Sequence, residues 1–473
     1  MTCGRRPRRL SLFPSRRSPT TLLALFRDYP RIARLAGLPA LLLAAVWLLA
    51  LTPAQVAQAE VTAVTATDNN GLLGVTRRRN QYGKDFAYFA FPFASDIPGY
   101  GSAVGGIGMA SNIGGSDTDV LGFYMDGDFS ASGLTILDVN LIPKRLIFDV
   151  GLFDYRLAFN QYDRGIASDP DSYTRPEVKG NGATSQLTLT FLDRMLDVYG
   201  RYGSQSNHTL QVLDAAGNAF PSIDTRSTTW RTLSLGFILD VTDDRLDPRK
   251  GVRLEFARQS LLNDIDPIYS TFSVYDTNLT FYLPVGRRNT WVFNAFKSDA
   301  VRDSLGSTDR TELTQRFGLN CSAIVDPVEQ ASCNATESKR IDEILAANRY
   351  GSATPLGGTQ RLRSFVNQRF HAGHAVAVGT EFRWNLTEEN TLIDWVILRG
   401  IRTNIQTAFF AEAGSVADRR NELSDKLKYS YGVGLRVVFS GAVLRLDLAH
   451  GSEGLETQLF LNYAWSMFSL DNP

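Results

Sequence analysis

An arginine beside apolar side chains is the feature of this sequence that most suggests specific chemistry. Arg363 follows Leu362 and precedes Phe365 by two positions in the stretch GGTQRLRSFVNQRF, residues 357–370. A loop that faces water has little reason to carry this pattern. A guanidinium can hold a carboxylate through two parallel hydrogen bonds. The other interpretation is a solvated arginine on a flexible loop.

Motifs of enzymes are not visible in the sequence. There is no G-x-S-x-G nucleophile elbow, and the glycine-rich stretch 99–108 lacks the helix that follows a phosphate-binding loop. His371 and His374 precede a strand, where residues three apart lie on opposite faces, which argues against a metal site. We therefore predict a protein that is not an enzyme and that uses no cofactor or metal.

The carboxylates that could pair with Arg363 stand on predicted β-strands. Apolar and polar residues alternate along many segments, so that each strand has one apolar face and one face of charges and glycines. Clear examples are residues 252–259, 376–386, 431–439 and 444–448. By this alternation Glu381 and Glu412 both lie on the polar face.

These strands predict a transmembrane barrel. We expect an all-β fold of sixteen antiparallel strands, with an apolar face toward lipid and a polar face toward the lumen. The eleventh strand is placed near 310–319 or near 343–350, and the polar segment 301–371 is expected to be a long loop. A soluble β-sandwich also alternates, but one of this length would need several domains, and no linker separates the strands.

The first 59 residues predict export. They contain nine arginines and one acidic residue, followed by an apolar run at 35–51 and small residues at Ala57 and Ala59. This arrangement is typical of a signal peptide that is cleaved after Ala59. An uncleaved membrane anchor is the alternative, although the run is short and contains Pro39.

The remaining chain is expected to form two parts. Residues 60–100 would be a short periplasmic or luminal segment, too short for a separate folded domain, and residues 101–473 would be the barrel. After residue 59 the chain carries 40 basic and 48 acidic side chains. A body with excess acid argues against nucleic-acid binding, which needs a basic face.

Two cysteines remain after the predicted cleavage. Cys321 and Cys333 stand twelve positions apart in the long loop, and such a pair in an exported chain favours a disulfide. The alternative, a metal site, would need more ligands than this neighbourhood offers.

Several motifs together resemble one family. DVTDDRLDPRKG (240–251) is similar to a D-T-R-D-x-x-x-x-P-x-x-G signature, in which four positions match: Asp240, Asp243, Pro248 and Gly251. LRSF (362–365) is similar to a V/L-R-G-F/Y loop motif, and FFAEAGSV (409–416) to an F-x-D-x-G strand motif. TEFRWNL resembles the strand that follows the loop, and FLNYAWSMF resembles a terminal β-signal. These are motifs of the outer-membrane assembly-factor superfamily, which includes the BamA and TamA insertases, the two-partner-secretion transporters and the bacterial surface antigen domain.

The resemblance implies a particular site. Family members fold as sixteen-stranded barrels whose sixth extracellular loop tucks into the lumen. In this chain Arg363 would then lie at the tip of that loop and pair with Glu412 and Glu381 on the inner wall. Leu362 and Phe365 would pack the loop against the wall.

The resemblance also implies a function at the bacterial outer membrane. The expected activity is insertion or translocation of proteins through a weak junction between the first and last strands. The expected partners are outer-membrane lipids, unfolded protein clients and periplasmic proteins. One alternative is a passive pore or structural surface barrel that keeps the fold without this activity. Another is a lipid-modifying barrel enzyme, although no Ser/His/acid set is visible.

Overall fold

The computed structural model describes residues 86–467, except for 221–226, 246, 263–266, 388–391, 396–397, 403 and 440–441. The expected signal peptide, residues 1–59, lies outside the described residues.

The described chain consists mostly of β-strands. The strands are β1 (Ala87–Ile97), β2 (Gly101–Ser111), β3 (Asp119–Gly127), β4 (Ser130–Ile142), β5 (Leu146–Ala158), β6 (Gln161–Tyr162), β7 (Tyr173–Phe191), β8 (Leu196–Leu213), β9 (Ser227–Asp240), β10 (Gly251–Leu261), β11 (Phe272–Val285), β12 (Asn289–Arg302), β13 (His374–Asn385), β14 (Leu392–Trp395), β15 (Leu398–Arg402), β16 (Asn404–Ala417), β17 (Lys428–Phe439), β18 (Ala442–Gly451) and β19 (Gly454–Leu461). Two α-helices, α1 (Arg310–Phe317) and α2 (Pro327–Tyr350), lie between β12 and β13.

Sixteen of these strands form a closed antiparallel wall. Each strand pairs with the next one along the chain, except that β6 and the β14–β15 hairpin are passed over, so that β5 pairs with β7 and β13 with β16. The circle closes where β19 meets β1. The predicted sixteen-stranded barrel is therefore confirmed.

Two strand assignments within that barrel differ from the prediction. Both positions offered for the eleventh strand are helical, because α1 and α2 occupy them. Each helix begins at an aspartate whose carboxylate accepts from the backbone of its first turn: Asp309 for α1 and Asp326, followed by Pro327, for α2. Such caps favour helix over strand.

The wall also begins earlier than predicted. Strand β1 lies within the range 60–100, which the sequence assigned to a segment before the barrel. It was overlooked because Pro92 interrupts its alternation, and proline in a sheet is confined to edges and bulges. The total stays at sixteen because β1, which was not predicted, takes the place of the predicted eleventh strand, whose positions are helical.

The two faces of the wall have opposite exposure. On β13, Trp384 is 50% exposed whereas its neighbour Arg383 is 2% exposed. The same reversal separates Leu446 from the fully buried Arg445 on β18. Apolar side chains therefore cover the outside and charged side chains line the inside, as a lipid-embedded barrel requires. Among the described residues, no helix has the length and apolarity of a membrane-spanning helix.

The junction of β1 and β19, here called the seam, is weakly paired. On its other edge β1 pairs with β2 at eleven consecutive positions, from Ala87 to Ile97. With β19 it pairs at one position, Asp96 opposite Leu459. The Ser95 hydroxyl adds a hydrogen bond of 3.2 Å to the carbonyl of Leu459.

Candidate functional site

The stretch that contains Arg363 packs against the charged face of the wall. After α2 the chain runs from residue 351 to 373 before it enters β13. Its turn opens with Gly357 and Gly358, whose φ angles are +110° and +97°. A Cβ on Gly357 would lie 2.5 Å from the carbonyl oxygen of Val366. Glycine is therefore needed at this turn.

Arg363 binds three carboxylates on the inner wall. Its Nη1 donates to Glu381 of β13 at 2.9 Å and to Asp447 of β18 at 3.0 Å. Its Nε donates to Glu412 of β16 at 3.1 Å, and its backbone N–H donates to the other oxygen of Glu412 at 2.9 Å. Arg363 is fully buried. These four residues, Arg363, Glu381, Glu412 and Asp447, are called the loop lock below.

Other arginines also contact the carboxylates of the loop lock. Glu381 also accepts from Arg383 at 2.8 Å and from Arg436 at 3.1 Å. Asp447 accepts a second bond from Arg436 and lies 3.6 Å from Nε of Arg445. Buried carboxylates are stable only when they are paired in this way.

Aromatic rings surround the guanidinium of Arg363. The guanidinium carbon, Cζ, lies 3.4 Å from the centre of the Phe410 ring and 5.3 Å from the centre of the Trp465 ring. Burial alone would lower the pKa of Arg363, but the attraction of Glu412, Asp447 and Glu381 outweighs it and leaves the pKa above its ordinary value. The arginine therefore stays charged inside the barrel.

The residues on either side of Arg363 hold the loop tip in place. Leu362 and Phe365 are both buried, in one apolar cluster with Phe370 and Leu356. The positive φ of this tip falls on Leu362, at +54°, and not on Ser364. The N–H of Ser364 donates to the Ser430 hydroxyl of β17 at 2.9 Å.

Two more arginines of the stretch reach the wall and the neighbouring loops. The guanidinium of Arg361 stacks 3.6 Å above the Phe296 ring. Arg369, fully buried, donates to Glu453 at 2.8 Å and to the hydroxyl of Ser168 at 2.7 Å. The loop is therefore held at both its tip and its base.

The turn signature lies between β9 and β10. Asp240 accepts from Arg253 at 2.8 Å, and Asp243 accepts from the backbone N–H groups at positions 249 and 250. Gly251 has a φ of +116°, and a Cβ there would lie 2.3 Å from the carbonyl oxygen of Val241. Pro248 is buried within this turn. The four residues thus shape one tight turn.

The last described residues, 462–467, turn into the lumen and are called the C-terminal segment. Strand β19 ends at Leu461, and Asn462 has a φ of +93°. Nε1 of Trp465 donates to Glu412 at 2.8 Å, and its carbonyl accepts from Asn278 at 2.7 Å. The hydroxyl of Tyr463 donates to Asp247 of the turn at 2.6 Å. The C-terminal segment therefore joins the loop lock to the turn signature.

The remaining candidates lie elsewhere. Cys321 and Cys333 form a disulfide that ties the start of α2 to the preceding loop. His371 contacts Glu343 at 2.9 Å and His374 contacts Asp299 at 2.8 Å, so the two imidazoles serve different partners.

Two functional neighbours of Arg363 were not identified as such from the sequence. The alternation of residues 444–448 places Asp447 on the polar face without pairing it with Arg363, and Trp465 falls within the stretch that resembles a terminal β-signal. The alternation predicts which face of the sheet a side chain lies on, but not its position along the barrel axis. Whether these residues act as a functional lock stays a prediction.

Comparison with known proteins finds one family match over part of the chain and a set of similar folds. Residues 124–325, less than half of the chain, match the Omp85 superfamily domain. This range includes the turn signature and ends before Arg363. No curated protein matches the chain.

Solved structures of BamA and CdiB are similar to this chain. CdiB from Escherichia coli has a TM-score of 0.50 and 10% identity, over 80% of this chain and 62% of that chain. BamA from Haemophilus ducreyi lacking POTRA domains 1–3 has a TM-score of 0.44 and 12% identity, over 81% and 70%. CdiB from Acinetobacter baumannii has a TM-score of 0.44 and 11% identity, over 80% and 59%. The chain thus spans less than two thirds of either CdiB, and at these identities the similarity concerns the fold.

Proposed function

We propose that this chain is a bacterial outer-membrane barrel that inserts or translocates other protein chains, because residues 124–325 match the Omp85 superfamily domain. The observation that carries the proposal is the seam. One paired position between β1 and β19 is far fewer than the ten that join β12 to β13. A wall with one weak junction can open sideways there while the rest stays paired.

The loop lock would keep the barrel body rigid during such opening. It ties the loop to three wall strands, β13, β16 and β18, through buried charges. Breaking a buried ion pair is strongly destabilising. The side of the wall that holds the loop would therefore stay closed.

The other parts of the proposal are predictions from the sequence and from the family resemblance. The chain would be exported by a signal peptide cleaved after Ala59, and its apolar outer face would contact outer-membrane lipids. Its partners would be unfolded client proteins and periplasmic proteins that deliver them. It would act without enzymatic chemistry, since the charged groups of the lumen pair with one another.

A disulfide across the seam tests the proposal. Asp96 and Leu459 face each other in register, so the variant Asp96→Cys/Leu459→Cys can join β1 to β19. The matched control, Ala183→Cys/Ser204→Cys, joins β7 to β8, which are already paired along their length. Each protein is reconstituted into liposomes, and the folding rate of an unfolded barrel client is followed by its resistance to protease.

We expect the native protein and the control variant to accelerate client folding over empty liposomes. The oxidised seam variant should fall to the rate of empty liposomes, and reduction should restore it. No acceleration by the native protein would support the passive pore or surface barrel instead. Acceleration by the oxidised seam variant would show that clients do not pass through the seam.

A further inference from the structure

The seam edge of β1 is covered by two different parts of the chain. Near one end Asp96 pairs with Leu459 of β19. Near the other end Tyr88 and Phe89 pair with Arg399 and Leu398 of β15. A strand that is not part of the circular wall therefore lies where the last wall strand would be expected.

The C-terminal segment is the part of the chain that β15 replaces. If the register of Asp96 and Leu459 continued along both strands, Ser466 would lie opposite Phe89. In the structure the N–H of Ser466 instead donates to the side chain of Gln360 in the loop at 3.1 Å. The N–H of Trp465 donates to the carbonyl of Gln360 at 3.3 Å. The segment and β15 are thus alternative partners for one edge.

The hairpin reaches this edge from a distance. It belongs to the connection 386–403 between β13 and β16, two neighbours that pair at twelve positions. Two such neighbours can be joined by about two to five residues. Three strands, β17, β18 and β19, separate β16 from β1 in the order of the sheet. The extra length therefore serves a strand other than its own neighbours.

The cost of uncovered strand edges favours the presence of one of the two. Backbone groups that lack partners inside a membrane cost several kcal/mol each. Either β15 or the C-terminal segment can supply partners to the end of β1 that contains Tyr88 and Phe89. While the segment is held in the lumen by Glu412 and Asn278, β15 is the available partner.

We propose that the β14–β15 hairpin is an exchangeable cap on the seam edge of β1. It occupies this edge while the C-terminal segment lies in the lumen, and it leaves when the segment comes out and continues β19 along β1. The exchange would switch the seam between two states. In one, β19 and β15 each pair with part of β1; in the other, β19 and the C-terminal segment pair with β1 along its length. This inference concerns the barrel itself and does not depend on whether the protein inserts clients.

Three cysteine pairs that share Phe89→Cys test the exchange. Phe89→Cys/Leu398→Cys reports the hairpin, and Phe89→Cys/Ser466→Cys reports the C-terminal segment. Phe89→Cys/Met109→Cys is the matched control, because Met109 of β2 faces Phe89 in register. Each pair is oxidised in the reconstituted full chain, and cross-linked peptides are quantified by mass spectrometry.

In the otherwise native chain, we expect the hairpin pair to link as completely as the control pair and the C-terminal pair to stay unlinked. Deletion of Leu392–Arg402 should make the C-terminal pair link. Trp465→Ala in the undeleted chain, which removes an anchor of the segment, should shift cross-linking from the hairpin pair to the C-terminal pair.

Two results would overturn the proposal, each judged where the control pair links normally. One is an unlinked hairpin pair in the otherwise native chain. The other is a C-terminal pair that stays unlinked both after the deletion and in Trp465→Ala. If the deletion variant does not fold, the control pair will not link, and the Trp465→Ala variant alone decides.

Discussion

The loop lock and the seam both close this barrel, one across its lumen and one along its wall, and they are built in opposite ways. The loop lock holds one guanidinium with three buried carboxylates from three strands. The seam holds two strands at one paired position. A region with many directional bonds resists movement, whereas a region with one paired position can separate at small cost. The difference supports the proposal that the barrel opens at the seam.

The lumen surface follows the same division. Near the seam it is apolar, because the buried residues Phe89, Phe93, Ile107 and Phe460 form one cluster there. Around the loop lock it is charged. Apolar contacts are not directional, so strands that meet through them can slide without leaving a charge unpaired.

Loss of Arg363 should have the largest effect. Arg363→Ala removes the cation from a buried ion pair, a change that typically costs about 3–5 kcal/mol. We expect the free energy of unfolding in detergent to fall by that order, and planar-bilayer conductance to become higher or noisier as the loop leaves the lumen.

Arg310→Ala provides the control for that variant. Arg310 pairs with Asp342 between the two helices, where both side chains are at least half exposed. Such surface pairs contribute about 0–1 kcal/mol. Equal losses in the free energy of unfolding in the two variants would contradict the expected difference between the loop lock and a surface ion pair. Unchanged conductance in Arg363→Ala would contradict it as well.

A smaller effect is expected from crowding the loop tip. A Cβ on Gly451 would lie 2.1 Å from the hydroxyl oxygen of Ser364. Gly451→Ala should therefore cost about 1–3 kcal/mol, the usual range for overpacking. Adding Ser364→Gly removes that oxygen and should recover most of the loss in the free energy of unfolding.

Gly122→Ala is the matched control for that pair, since the nearest atom to a Cβ there lies at 3.8 Å. We expect it to change the stability little. A double variant no more stable than Gly451→Ala alone would show that the loop tip does not press on β18 at this point.

Hydrogen exchange should separate the two edges of β1. In an antiparallel sheet, successive N–H groups of a strand point to opposite neighbours. Those of β1 that face β2 should be protected, and those that face the seam between Phe89 and Asp96 should exchange faster. In β12, which is paired on both edges, protection should be uniform. Uniform protection along β1, measured at single-amide resolution in detergent, would argue against a weak seam.

The smallest effect is expected from the hydroxyl that bridges the seam. Ser95→Ala removes one hydrogen bond, worth about 1 kcal/mol. Exchange of the seam-facing amides should rise while the free energy of global unfolding stays nearly unchanged. Thr380→Ala removes a similar bond to the carbonyl of Val292, and also the bond that the Thr380 hydroxyl accepts from Trp291, within a fully paired ladder, and it should leave β1 unaffected. A fall in global stability with no change at the seam would contradict this expectation.

Alternation made the barrel predictable from the sequence. A period of two assigns each side chain to one face, and this placed Glu381 and Glu412 on the inner face with no knowledge of the fold. The match to the Omp85 superfamily domain covers residues 124–325, which include the turn signature but none of the motifs from residue 362 onward.

The partners of Arg363 were only partly predictable. Asp447 reaches Arg363 because the registers of β13, β16, β17 and β18 bring three carboxylates to one height, and registers depend on long-range pairing. The helices were missed because their faces show little periodicity. The capping residues Asp309 and Asp326 were the available signal.

The charges around the loop lock have a consequence for ion passage. Four arginines, at positions 363, 383, 436 and 445, face three carboxylates, and the surplus positive charge is carried by the loop. If the loop left the lumen, it would leave three arginines and three carboxylates on the wall. At the level of the loop lock, the emptied channel would be electrically neutral and would discriminate little between anions and cations.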